Sequence, residues 1–300
     1  MKLRCHEIAA AADVWINGRL VGGHVGHFIP FALDVTDQLK CGNTNRILVV
    51  AHKYSLARDM SGYSVHVGGG ITRKIELIRV PASYLSQLHA TTDFDDQYED
   101  ATLQLTTEIA NEDSRALENA SLAFSLIDSE GYPAELTPGS ASIPLIQPGT
   151  RVRRSFAVHV HRPQSWNAEQ PQLYRLVVTL RANDRPIQRV ERRIGFREIE
   201  VRGDQLLVNG RAVKLRGVDR HLAHPLRGRS PAPDLARKDA ELLKAANCNF
   251  VRTSHYPPSE EFIAACDELG LYVEEEAPFC FFSERRPGMK QADVTRYAVY

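Results

Sequence analysis

Three short stretches in the last third of the chain gather the side chains best suited to chemistry. The first holds Asp219, Arg220, His221 and His224, the second Arg252, Thr253, Ser254 and His255, and the third Glu274, Glu275 and Glu276. Near neutral pH a histidine serves as a general base, a metal ligand or a partner for hydroxyl groups. An arginine clamps an anion or pairs with a carboxylate, and Arg252 opposite Glu276 reads as a pair that holds a pocket mouth. Successive residues of a strand point to opposite faces, so the three glutamates cannot share one pocket. Glu276, the last of them, is best placed at a rim. No HExxH or other close ligand pair is read here, which argues against a histidine metal site. A GxSxG elbow and a Walker loop are likewise missing, and Gly68-Gly69-Gly70 reads as a turn because no helix follows it.

Each polar stretch follows an apolar run with strand character: Val213–Val218, Asn249–Arg252 and Leu271–Val273. Between them the spacing predicts two helices. Asp234 is placed to cap the first, with Leu235, Leu242, Leu243 and Ala246 on one face. Ser259 is placed to cap the second, with Glu260 and Glu261 near its positive end and Gly270 as its stop. Phe262, Ile263, Cys266 and Leu269 repeat at helical spacing within it. This β–α–β–α–β order predicts a parallel sheet. In a parallel β/α barrel all strand C-termini face one mouth, so the three stretches would line one polar pocket. Leu215, Val251 and Val273 are expected to face the barrel interior.

Upstream, everything reads as β. Val14-Trp15-Ile16 and Arg19-Leu20-Val21 flank Asn17-Gly18, a pair that tolerates the positive φ of a tight hairpin. Ile47–Val50 and Ile75–Ile78 are further strands. Between residues 83 and 198 the alternation has period two. Leu103, Leu105, Thr107 and Ile109 fall on one face, and Ser121–Ile127, Val152–Val160, Leu173–Leu180 and Pro186–Ile194 follow with turns between them. Short strands at this spacing predict an immunoglobulin-like sandwich.

The composition is that of an ordinary soluble chain: 300 residues, 43% hydrophobic, with 37 Lys+Arg against 37 Asp+Glu. Zero net charge gives no electrostatic case for nucleic acid or an anionic membrane surface as a partner. No apolar run approaches the roughly 18–20 residues of a membrane span, and the first residues do not read as a signal peptide. Five widely spaced cysteines without a CxxC pair predict reduced thiols, hence a cytoplasmic location, rather than disulfides or a zinc site.

Three stretches resemble glycoside hydrolase family 2, the β-galactosidase and β-glucuronidase family. Asp13–Arg19 with Phe31–Thr36 is similar to the family's N-terminal jelly-roll module. Trp166–Tyr174 with Ile194–Glu198 resembles the end of its immunoglobulin-like domain. Leu207–Arg211, Arg216–His221, Arg252–Pro257 and Cys266–Val273 resemble the opening of its catalytic barrel. The resemblance implies a partial jelly-roll β-sandwich over 1–82, lacking its first strands. It implies an immunoglobulin-like β-sandwich over 83–198 and the first three βα units of a TIM (β/α)8 barrel over 199–300.

The activity it implies is that of a retaining β-glycosidase with two glutamates, one proton donor and one nucleophile. A full barrel takes roughly 250 residues, so both glutamates, and any Mg2+ of the complete enzyme, are expected beyond Tyr300. No cofactor is expected within the chain, and the chain alone is expected to be inactive. His255, Arg252, His221, Asp219 and Glu276 are carried over as the sugar-binding and supporting residues. The Trp-x-Ala-Glu stretch and His224-Pro225-Leu226 lean towards a β-galactoside as substrate rather than a β-glucuronide. Departures stand beside these similarities. Asp219 occupies a place usually held by Asn, Leu222 one usually held by an acid, and Ala277–Phe282 lacks the usual histidine. Asp59 is a loop aspartate that could reach the sugar. The expected partners are the sugar and either a complementing C-terminal polypeptide or further copies of the chain. A carbohydrate-binding module without catalysis is the remaining alternative.

Overall fold

The computed structural model of the chain describes residues 1–53, 55, 69–230 and 232–278. Asp59, Gly68 and the residues from Phe279 to Phe282, singled out above, lie outside the described residues.

Two three-stranded antiparallel sheets open the chain. One is ordered Phe31–Asp34, Lys2–Cys5, Ile75–Ile78, and the other Arg19–Val25, Ala11–Ile16, Ile47–His52. Alternation along these strands turns Leu3, Cys5, Val14 and Ile16 inward, each at most 1% exposed, to make their shared core. Asn17 (φ 52°) and Gly18 (φ 83°) adopt the left-handed turn that joins the hairpin. The strand Lys2–Cys5 had no counterpart in the sequence reading, and Gly70 belongs to a two-residue strand paired with Ile8–Ala9.

The second sandwich has two four-stranded antiparallel sheets. Their orders are Leu136–Thr137, Thr150–Val160, Ala101–Asn111, Ser83–Phe94, and Ser140–Ile143, Ala120–Ile127, Tyr174–Ala182, Arg185–Ile194. Leu103, Leu105, Thr107 and Ile109 are all fully buried, and the intervening Gln104, Thr106 and Glu108 are not, as the alternation requires.

A small antiparallel sheet of Ile199–Arg202, Gln205–Val208 and Arg211–Ala212 then leads into a parallel sheet of Gly217–Asp219, Phe250–Thr253 and Tyr272–Glu275. Helices Pro233–Ala245 and Glu260–Leu269 connect the three parallel strands. Ser259 caps the second helix by accepting from the Phe262 N–H, and Gly270 (φ 77°) ends it. Among the described residues no helix is long and apolar enough to cross a membrane.

Several expectations are corrected here. The first parallel strand starts at Gly217 rather than Val213. The Asn249 side chain takes the place of a strand partner upstream, accepting from the Arg216 N–H (2.7 Å) and donating to the Lys214 carbonyl (3.0 Å). Ala232 rather than Asp234 is the N-cap of the first helix, whose first turn is set by Pro233. Its buried face is Ala236, Ala240 and Leu243, and Leu242 is 56% exposed. Small residues win that face because the helix lies close to its neighbour. Val251 and Val273 point outward to the helices and join Phe262 and Cys266 in a core, instead of facing the barrel interior. The inward parity therefore belongs to Phe250 and Arg252, and to Tyr272 and Glu274.

Two of the seams between the three bodies bear on the parallel sheet. At one, Trp166 (1% exposed) inserts between the second sandwich and the parallel unit. Its indole N–H donates to the Asp267 carbonyl (2.8 Å), its ring meets Tyr272 edge-on at 5.6 Å, and Arg197 lies over its face. At the other seam Phe28 stacks on Tyr256 with ring centroids 4.2 Å apart, and Arg73 donates to the Pro257 carbonyl (2.7 Å).

Gly270 approaches the loop below Trp166 so closely that an added Cβ would lie 2.3 Å from the Ala168 carbonyl oxygen. Gly270→Ala is expected to cost about 2–3 kcal/mol in urea denaturation, from strain at positive φ plus this clash. Gly203→Ala has positive φ but open space and is expected to cost only about 1 kcal/mol. Equal costs would contradict the packing at this seam.

A second expectation concerns pH. His27 is 5% exposed with neither ring nitrogen hydrogen-bonded, and burial, reinforced by the Arg229 charge, holds its pKa down at about 4. The unfolded chain takes a proton near pH 6.5 while the folded chain refuses it until about 4, so stability falls as pH falls through that window. The loss should reach about 2–3 kcal/mol at pH 4.5. Burial pushes neighbouring Glu7 upward, with Arg73 opposing, which gives a slope of opposite sign. The comparison is therefore wild type against His27→Leu, whose pH dependence should be flatter by that amount; parallel curves would refute it.

Candidate active site

The C-terminal ends of the three parallel strands bring all five predicted residues into one cluster. Arg252, on the middle strand, is its centre. Its Nε lies 2.5 Å from Glu276 Oε1 and 3.8 Å from Glu274 Oε1, and its Nη1 lies 3.7 Å from Asp219 Oδ1. The approach to Glu276 is an ionic contact rather than an aligned hydrogen bond, since Arg252 Nε has no hydrogen-bond acceptor in line. Register explains the convergence: Arg252 is paired with Asp219 on one side and Glu274 on the other, all with inward parity.

His255 follows the middle strand and turns back over Glu276, with Nδ1 3.1 Å from Oε2. Its ring meets that of His221 edge-on, with centroids 5.3 Å apart. The Glu276 N–H is in turn 3.4 Å from Thr253 Oγ1. Asp219 and Glu274 are more than half exposed, whereas His255 and Glu276 are about one-fifth exposed. The cluster thus has a protected floor of His255 and Glu276 and an open rim of acids.

Glu274 was missed in the sequence, although the strand period places it on the same face as Glu276 and sends Glu275 away. The first module's contribution was also invisible. Phe28 stacks on Tyr256, and the Tyr256 hydroxyl accepts from the Leu222 N–H (2.8 Å). Arg73, paired with buried Glu7 at 2.9 Å, holds Pro257. The loop that carries His255 is therefore clamped from the N-terminal module.

Chemically, this arrangement offers partners for hydroxyl groups. Glu276, Glu274 and Asp219 are all engaged with one guanidinium, so none stands as an isolated acid or nucleophile. Hydroxyl groups would find acceptors in the carboxylates and a donor or acceptor in each imidazole. The donor set does not suit Mg2+, which needs carboxylates and waters in octahedral array, because Arg252 already fills the cationic position among these carboxylates.

Residues 83–197 match the model of "Glycosyl hydrolases family 2", and residues 199–292 match "Glycosyl hydrolases family 2, TIM barrel domain". The chain belongs to glycoside hydrolase family 2. Its three parallel strands are part of the family's TIM barrel, and the sandwiches before them are its β domains. It is 34% identical over 273 residues to a β-galactosidase of Pseudoalteromonas haloplanktis, a match covering 90% of this chain and 26% of the relative. A β-galactosidase of Aeromonas hydrophila is 32% identical over 272 residues, with 90% and 26% covered. Among solved structures, a β-glucuronidase of Bacteroides uniformis superposes with a TM-score of 0.85 at 26% identity, covering 96% of this chain and 35% of that one. The chain spans between 26% and 32% of the length of the first curated relatives it matches.

The ion pair at the centre is testable by a double-mutant cycle in chemical denaturation. Arg252→Gln should destabilise by about 1–2 kcal/mol because it leaves three carboxylates facing one another. Adding Glu276→Gln should recover part of that loss, a coupling of about 1 kcal/mol. Additive losses would show that the two side chains do not interact.

Proposed function

We propose that this chain provides the sugar-binding half of the active centre of a retaining β-glycosidase, acting on β-galactosides. The observation that carries the reading is the neutralised Arg252. Three carboxylates surround one guanidinium, at 2.5, 3.7 and 3.8 Å, so within the described cluster the positive charge of Arg252 is already countered. A uronate carboxylate needs such a charge, and like-charge contact with Asp219 and Glu274 would repel it. A neutral hexose needs only hydroxyl partners, which His255, His221, Glu276 and Asp219 provide.

Cleavage with retention needs two carboxyl groups about 5–5.5 Å apart, one as proton donor and one as nucleophile. In this reading neither belongs to the described residues, and both come from the remainder of the barrel, in a longer chain or a complementing polypeptide. His255 and Glu276 then hold the sugar ring against them, so that reaction is effectively intramolecular.

The test compares aryl β-galactoside with aryl β-glucuronide on the enzyme completed by its remaining strands. The galactoside is expected to be favoured at least about tenfold in kcat/KM, and His255→Ala to lower that value about 10–100-fold. The 300-residue chain alone should show no turnover. Turnover by the chain alone, abolished by His255→Ala, would show that the catalytic pair lies within it. The kinship to the Bacteroides uniformis β-glucuronidase favours a second reading, β-glucuronide cleavage, which a reversed preference would establish.

A further inference from the structure

We propose that Asp100, His159 and His161 form a binding site for a transition-metal ion of the Zn2+ type on the outer face of the second sandwich. The backbone builds this site. His159 lies in the strand Thr150–Val160 and His161 follows two residues later, so both fall on one face. Val158 and Val160 are fully buried, which turns the two histidines to solvent. The register sets Val160 opposite Ala101 on one side and opposite Leu136 on the other. Asp100 and Glu135 therefore flank His161, and the His161 N–H donates to the Glu135 carbonyl (3.2 Å).

The donor atoms converge. His161 Nδ1 is 3.0 Å from Asp100 Oδ1, and His159 Nε2 is 3.6 Å from Asp100 Oδ2. All three ligand atoms lie within 4.8 Å of one another. A tetrahedral ion bound at about 2.0–2.1 Å separates its donors by about 3.4 Å, so small side-chain rotations suffice. Two imidazoles and a carboxylate suit Zn2+ rather than Mg2+ or Ca2+. A hollow of about 210 Å³, lined by Glu135, Leu136, Thr137, His159 and His161, adjoins the cluster and has room for a fourth ligand, water or the Glu135 carboxylate.

Asp100 is held in place. Its carbonyl accepts from the Asp95 N–H (2.9 Å), its own N–H donates to Asp95 Oδ2 (3.3 Å), and its Oδ1 accepts from the Arg162 N–H (3.0 Å). Such partners orient a ligand before the metal arrives. Both histidines are more than half exposed, so their pairing with Asp100 alone is weak and the ligands remain accessible. A bound ion would tie together the ends of two strands, Ala101–Asn111 and Thr150–Val160.

The experiment is calorimetric titration of the 300-residue chain with Zn2+, repeated on variants. One equivalent should bind saturably and raise the melting temperature. His161→Ala and His159→Gln should each weaken this binding at least about tenfold, and Asp100→Asn should weaken it too. His255→Ala, at the sugar pocket, should leave it intact. Visible absorption of bound Co2+ should disappear in the His161→Ala chain. No saturable binding, binding unchanged by His161→Ala and His159→Gln, or binding lost with His255→Ala would overturn the proposal.

Discussion

Much of this structure depends on one buried indole. Trp166 leaves the second sandwich and fills the space against Tyr272, Val208 and Ala168, with its N–H satisfied by a carbonyl of the second helix. Removing a buried aromatic ring of this kind costs about 3–5 kcal/mol. The geometry tolerates little change around it, because Gly195 has no room for a Cβ against the ring. Lys244 adds a second fastening, donating to the carbonyls of Ala168 (2.6 Å) and Gly270 (2.9 Å). Through these contacts the sandwich fixes both helices and the third parallel strand, and hence Glu274 and Glu276 at its end.

The opposite wall is fixed from the N-terminal module. His27 and Glu7 are polar groups taken out of water, a cost borne only where the surrounding packing requires it. What that packing secures is the stack of Phe28 on Tyr256 and the grip of Arg73 on Pro257. The loop carrying His255 is therefore shaped from outside the parallel sheet. A short three-stranded sheet gains positional accuracy for its side chains from both neighbours, which is how a binding cluster on open strand ends stays ordered.

Much of this was legible in the residues. Periodicity of two identified the buried row from Leu103 to Ile109, and Asn17-Gly18 identified the hairpin of the first module. Ser259 and Gly270 bounded the second helix as their capping chemistry predicts. Strand ends rich in ionisable groups pointed to the five residues that converge. The errors have physical causes. Asp234 looked like a cap, but Pro233 already set the helix entry. Leu242 looked buried, but close helix packing selected Ala236 and Ala240. Val251 seemed to line a barrel, yet strand parity and the helix layer claimed it. The His159 and His161 pair escaped notice because its third ligand, Asp100, lies 59 positions upstream of His159 and reaches it only through strand register.

The sequence by itself determined the element types, the order of the modules and which strand ends carry charge, because these follow from local periodicity and turn chemistry. Only the tertiary structure decided which charges meet. Strand register put Asp219 and Glu274 on either side of Arg252, where their charges balance its own. Sandwich register likewise set Asp100 beside two histidines. Pairing across strands is long-range, and no local pattern of residues encodes it.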